Sequence, residues 1–311
     1  DTIGVFQVES RAQAQVLPRL RPRCFNDLIV SISLIRPGPV QGQMVHPYLR
    51  RRDGSEKVTY LHPALEPALS ETLGVVLFQE QVLKIARDIA GFTPGQGELL
   101  RRALGSKRAE QELAALESVF IAGAGQRGVP EEIAAQIFGQ LRGFAGYSFP
   151  KSHAAAFAVL VYQSAWLRKY HPLAFYLGLL NHQPMGFWSP AAILGDAERR
   201  GVRARQPDIE YSAGACTPED GAIRLGLGMV KGLRAADIER ILAARPFHNL
   251  ADFCRRTRTP RRLVEHLILS GAFDRYGERR ALLWELGQIP KARDEEPLLD
   301  VPIIAADLPR L

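Results

Sequence analysis

A chain of 311 residues is long enough to bury a core and to divide into two or three compact units of roughly 100 to 200 residues each. Its 40 Lys and Arg against 33 Asp and Glu give a formal charge of +7, which favours a polyanionic partner without identifying one. Three scattered cysteines, Cys24, Cys216 and Cys254, exclude a thiolate zinc cluster, and the longest apolar run, within residues 153–167, is too short to cross a bilayer.

No signal peptide or targeting stretch is visible, so disulfides are not expected and a reducing cytoplasm is the default. Arginine far outnumbers lysine. That bias suits bidentate phosphate contacts, and a GC-rich genome produces it equally well.

In chain order, Ala12 to Leu20 reads as a short helix, and LIVSISLI from Leu28 to Ile35 as a buried strand or helix stopped by RPGP at Arg36–Pro39. Gly42 to Tyr60 reads as basic and irregular, with Arg50, Arg51 and Arg52 in a row. The segment from Gly74 has apolar residues at helical spacing, Val82, Ile85, Ala86, Ile89 and Ala90, and Gly91 ends it. Further helices carry ELLRRALGSKR, Ala109 to Ala124, and Pro130 to Leu141, so the first two thirds of the chain is mainly α. Crowded Pro184, Gly186 and Pro190 predict a turn, followed by a short helix to Arg200, an extended GVRARQPDI and a turn at Pro218–Gly221. A small unit then starts near Ala222, and the acidic, proline-containing tail after Pro290 reads as a linker or the start of another domain.

The strongest local signal is GFAGYSFPKSHAAAFAVLVYQSAWLRKYHP, residues 143–172. Pro150 fixes φ near the first turn, Ser152 can cap, and Lys151 and His153 stand at the positive end of a helix that reads as buried along most of its length. The pattern fits an anion site, or an ordinary core helix with a polar start. LRRALGSKR groups Arg101, Arg102, Lys107 and Arg108 around a helix end, which suits a triphosphate or a nucleic-acid backbone, or a solvated helix face. Arg36 and the Arg50–Arg52 triplet are weaker signals of the same kind.

KGLRAADIERIL has the form of a helix-hairpin-helix turn, whose backbone N–H groups approach a DNA phosphate without reading sequence; the alternative is a hairpin used only for packing. Lys231, Gly232 and Arg234 are its candidate DNA contacts. Arg234 stands where the pattern usually carries a second glycine. No DxD pair, nucleophile–base pair or Gly-rich phosphate loop is present; the nearest carboxylate pairs are Asp208 with Glu210, Glu110 with Glu112 and Asp294 with Glu296.

Taken together and in order, GVFQVESRAQ, LIRPGP, LGVVLFQEQVLKIA, LLRRALGSKR, GFAGYSFPKSHAAAFA, YQSAWLRKYHP, PDI and LGLGMVKGL resemble the bacterial C-family DNA polymerases, the DNA polymerase III alpha subunit family, over roughly residues 1–285. LNHQPMGFWSP and MVHPYLRRRDG resemble the error-prone, damage-tolerant branch. The resemblance implies a mainly α protein: fingers at 1–182, a connecting segment at 183–221, a tandem helix-hairpin-helix domain at 222–288, and a linker or further domain from 289. It implies that Arg101 and Arg102 contact the phosphates of an incoming dNTP and that Lys107, Lys151 and His153 lie in the same nucleotide-binding pocket, with Arg36 as a weaker candidate. The partners implied are a DNA primer-template and dNTP, with a sliding clamp and mutasome-type accessory proteins reached through other regions. The Mg²⁺-binding palm carboxylates would precede Asp1, so this stretch alone is expected to be inactive as a DNA-directed DNA polymerase. A non-catalytic, sequence-independent DNA-binding module is the alternative.

Overall fold

The structure is a computed structural model and describes residues 2–35, 45–105, 110–143 and 149–289. Arg36, Ser106, Lys107 and Arg108 therefore lie outside the described residues, as do RPGP and the tail from Pro290. The chain divides into two units, Asp1–Trp166 and Leu167–Leu311.

In the first unit, α1 (Arg11–Leu20) starts at Ser10, whose hydroxyl accepts from the Gln13 N–H, and stops at Arg21 in a left-handed conformation, φ 46°. The run with no polar face becomes α2 (Phe25–Leu34), a helix rather than a strand, buried from Ile29 to Leu34. Its two serines are hydrogen-bonded there: Ser31 exchanges bonds with Gln13, and Ser33 donates to the Ile29 carbonyl at 2.8 Å. The basic stretch expected to be irregular contains a helix, α3 (Val45–Asp53). Its arginines are matched by carboxylates: Arg52 meets Asp27, remote in sequence, at 2.6 Å, and Arg50 and Arg51 share Glu56 just beyond the helix. The triplet is thus held by ion pairs and is not a free basic run.

After a one-turn helix, α4 (Glu66–Leu69), Gly74 turns the chain at φ +80°, and α5 (Gln79–Ala90) begins five residues later than its apolar spacing suggests. Buried Gln81 fixes that start by accepting from the Leu77 and Phe78 N–H groups and donating to Ala68 and Thr72. Gly91, φ +69°, ends α5 as expected, its N–H returning to the Arg87 carbonyl. Helices α6 (Pro94–Gly105), α7 (Glu110–Gln126) and α8 (Glu131–Gly143) close around α5 over one core, which includes Ile85, Ile89, Leu100, Phe120 and Phe138. A second core joins α1, α2 and α3 to Val75–Phe78 and to the start of α9 (Lys151–Tyr170).

The expectation of a mostly buried α9 is corrected. Ala154, Ala158 and Val161 are buried, whereas Val159, Leu160, Tyr162, Trp166, Leu167 and Tyr170 are exposed. An apolar composition shows that a helix has much to bury, not how many of its faces meet a partner.

In the second unit, α10 (Pro172–Asn181) and α11 (Pro190–Arg199) pack with a three-stranded sheet of order β1-β3-β2, formed by β1 (Ala204–Arg205), β2 (Thr217–Glu219) and β3 (Ala222–Arg224). The turn expected at Pro218–Gly221 is a two-residue hairpin in which Asp220 and Gly221 both have positive φ, 49° and 75°, as a type I′ turn requires. Helices α12 (Ala235–Ala243), α13 (Leu250–Thr257), α14 (Arg261–Leu269) and α15 (Arg279–Gln288) enclose a separate core of Ile241, Phe253, Leu267 and Phe273, to which Ile209 contributes from outside the helices. Together these elements make the protein mainly α.

Candidate functional site

In the first unit, the first turn of α5 organises the candidate anion-binding residues. Arg101 on α6 extends Nη1 to the Gln79 side chain at 3.4 Å, while the next residue, Glu80, accepts the Lys151 backbone N–H with both carboxylate oxygens at 3.1 Å. Gln79 also donates its N–H to the Phe149 carbonyl, which fixes the chain entering α9. The Arg101 guanidinium and the backbone N–H of Lys151, some fifty residues apart in sequence, thereby meet adjacent residues of one helix turn.

Each cation already has a carboxylate. Arg101 and Arg102 both bind Glu98, one turn back on the same helix, with contacts of 2.7 and 3.0 Å. These hydrogen bonds, Arg101's first and then Arg102's, hold the Glu98 carboxyl down at about 2, so it stays ionised across any working pH. The Lys151 ammonium binds Glu71 and lies 5.7 Å from the centre of the Phe78 ring. The α9 start thus attracts an anion, as its dipole predicts, but the anion is the protein's own Glu80. Ser152, expected to cap, is exposed inside the first turn.

His153 points elsewhere. Two residues from Lys151 it cannot share a helix face with it, and its ring lies between Phe149 and Phe157, at 5.0 and 4.5 Å. Phe157 in turn stacks on Phe6 at 5.7 Å, and Phe6 is 43% exposed. Of this aromatic row, Phe149, His153 and Phe157 recur every four residues, a spacing that puts them on one helix face, whereas Phe6 is far from them along the chain and no local pattern adds it.

In the second unit, Gly232 has φ +94°, which a side chain would strain, and a Cβ there would stand 3.0 Å from Leu263 of α14. The Lys231 carbonyl meets His266 Nδ1 of α14 at 2.7 Å, and the Arg234 N–H meets Asp237 at 3.2 Å at the start of α12. Lys231, Gly232 and Arg234 are exposed. Beside this loop, α14 carries Arg262 one turn before His266, and Arg258 ends α13 in a left-handed turn, φ 48°. Among the described residues, Lys231, Arg234, Arg258 and Arg262 take part in no ion pair. Arg258 and Arg262 were missed because RRTRTPRR reads as one undifferentiated basic run; only the fold separates them from Arg255, Arg256 and Arg261, which are paired.

Residues 1–128 match the family model for the bacterial DNA polymerase III alpha subunit finger domain, and residues 201–283 match that for a helix-hairpin-helix motif. The chain is 49% identical over 300 residues to the error-prone DNA polymerase of Anaeromyxobacter dehalogenans (strain 2CP-C), covering 91% of this chain and 26% of that protein. Residues 1–128 and 201–283 are thus similar to the finger domain of the bacterial DNA polymerase III alpha subunit family and to a helix-hairpin-helix motif. Other proteins with the name error-prone DNA polymerase are similar: that of Corynebacterium diphtheriae is 48% identical over 92% of this chain and 28% of its own length, and that of Nocardia farcinica 47% identical over 100% and 28%. The chain spans about a quarter of the length of these curated relatives.

The family generally uses Mg²⁺. Among the described residues no group of three or more His, Cys, Asp or Glu side chains is placed to hold a metal ion, so no ligand set here fits one. No helix among them is long and apolar enough to cross a membrane.

Proposed function

We propose that this chain supplies the incoming-nucleotide and duplex contacts of a DNA-directed, error-prone DNA polymerase, with residues 1–182 as fingers and 222–288 as the DNA-binding hairpins. The observation that supports this reading is the anchoring of Arg101, through its guanidinium, and of Lys151, through its backbone N–H, to the neighbouring residues Gln79 and Glu80. A triphosphate binding there would exchange the carboxylates Glu98 and Glu71 for its own oxygens, so the cations are held in position before the nucleotide arrives. The fingers would then place the α-phosphate for in-line attack by the primer 3′-OH, with positive charge set where negative charge develops. The row of exposed Phe6 and His153 with half-buried Phe157 offers a surface on which a base can stack. Lys107 and Arg36 belong to the same proposal by position in the sequence.

For the hairpins, Lys231, Arg234, Arg258 and Arg262 would neutralise phosphates without reading bases. Binding of this chain to duplexes of unrelated sequence should weaken linearly on a log–log plot against salt. Replacing Lys231 and Arg234 by alanine should reduce the slope by about 2, at roughly 0.9 per phosphate contact, to the same extent for every sequence. An unchanged slope would remove these residues from the interface. Duplex binding with no response to dNTP would favour a DNA-binding module without a nucleotide site.

A further inference from the structure

The segment RLRPRC, which ends α1 and leads to α2, lines an open cavity of about 620 Å³ that none of the assigned residues enters. Five arginines border it, Arg19 from the last turn of α1, Arg21 and Arg23 from the loop after it, and Arg51 and Arg52 from α3, against two carboxylates. Both carboxylates are already engaged. Buried Asp27 accepts from Arg52 at 2.6 Å and from the Arg23 and Cys24 N–H groups at 2.7 and 3.3 Å, and Asp53 folds back on Ser55 at 2.5 Å. Arg51, only 14% exposed, is held by Glu56 and the Leu73 carbonyl.

What remains at the mouth is an excess of positive charge. Arg19, Arg21 and Arg23 are exposed, and among the described residues the one hydrogen bond of their guanidinium groups is that of Arg21 to the Pro18 carbonyl at 3.2 Å, while Arg19 lies near enough to Asp53 to help lower its carboxyl. Three arginines held within five residues at the end of α1 and the loop after it repel each other, and an anion seated between them relieves that repulsion. Guanidinium forks match the paired oxygens of a phosphate. The volume is that of a small-ligand site, which excludes a merely flat basic patch.

We propose that this cavity is a second phosphate-binding site, distinct in its residues from the Arg101 and Lys151 group, in which Arg19 and Arg23 clamp phosphate oxygens over a floor made by Arg51 and Arg52. Phosphate oxygens reach such a site from a DNA strand or from a free polyphosphate, and the same chemistry serves both. The proposal stands on the cavity and does not depend on the nucleotide-site assignment.

Cys24 lines the cavity and is exposed, which makes it a reporter. Cys216 is buried, and burial pushes the Cys254 thiol up to about 12, so iodoacetamide at pH 8 should modify Cys24 ahead of both. The rate of Cys24 alkylation in the 311-residue chain, followed by peptide mass, is measured with inorganic triphosphate and, separately, with a single-stranded oligonucleotide. A ligand at tenfold excess over its Kd should slow alkylation about tenfold by mass action. Arg19→Gln with Arg23→Gln should abolish the slowing at the same ligand concentrations, while a matching unfolding midpoint shows that the variant is folded. Slowing by triphosphate alone assigns the site to a free polyphosphate; slowing by the oligonucleotide assigns it to a DNA strand. Unslowed alkylation with both ligands at millimolar concentration overturns the proposal, as does equal slowing in parent and variant. If the double variant is unfolded, Arg19→Gln alone is read in the same way.

Discussion

Asp196→Ala is expected to destabilise the second unit by about 3–5 kcal/mol, the usual cost of breaking one side of a buried ion pair. Asp196 is 1% exposed and accepts from Arg168 and from the Tyr176 hydroxyl, each at 2.6 Å, with Arg199 at 3.3 Å. Burial alone would push its carboxyl up, but the hydrogen bonds from Tyr176 and Arg168 prevail and hold it below the ordinary range. Removing the carboxylate leaves a guanidinium that is 6% exposed without its counter-charge. Urea unfolding should show a lower midpoint at unchanged slope. The double replacement Asp196→Leu with Arg168→Met should recover most of the loss, because a buried pair contributes little net stability against apolar residues of similar size. Because the folded carboxyl titrates below its unfolded value, its contribution is present at neutral pH and disappears as pH falls through the lowered value. An Asp196→Ala midpoint equal to the parent's would show that water reaches Arg168.

Gly123→Ala should also be costly, and a neighbouring substitution supplies its control. A Cβ on Gly123 of α7 would stand 2.2 Å from the Ala90 carbonyl oxygen at the end of α5, and that neighbour is backbone that cannot swing aside. Helices α5 and α7 must separate, at a cost of about 1–3 kcal/mol or more. Gly125, two residues on in the same helix, is exposed with nothing within 4 Å of an added Cβ. Gly125→Ala should therefore stabilise by about 0.5–1 kcal/mol, the helix-interior difference between the two residues. Opposite signs in one unfolding series would show that close approach, not helix propensity, retains Gly123. Two changes of the same sign would contradict the α5–α7 contact.

The features that were legible in the sequence are local ones. Gly91 marked the end of α5 because a left-handed stop favours glycine, and Asp220–Gly221 marked a turn for the same reason. Features that depend on distant partners were not legible. Arg52 looked like free charge because Asp27 lies 25 residues from it. Lys151 looked like an open anion site because its carboxylates, Glu71 and Glu80, are 80 and 71 residues away. The α9 sequence HAAAFAVLVY looked buried because apolar count carries no information on which faces are covered. Of the candidate site, residue identities came from the ordered motifs, whereas the meeting of Arg101 and Lys151 at Gln79 and Glu80, and the divergence of His153, came only from the fold.

The most direct test of the nucleotide assignment is primer extension against dNTP concentration, with this chain exchanged for the matching segment of a full-length error-prone relative. With Arg101→Ala and Arg102→Ala, the dNTP concentration for half-maximal extension should rise more than about tenfold, since each charge-assisted hydrogen bond contributes about 1.5–3 kcal/mol. Affinity for the primer-template should stay unchanged. An unaltered dNTP dependence in a variant that still binds DNA would contradict the assignment of these arginines to the triphosphate.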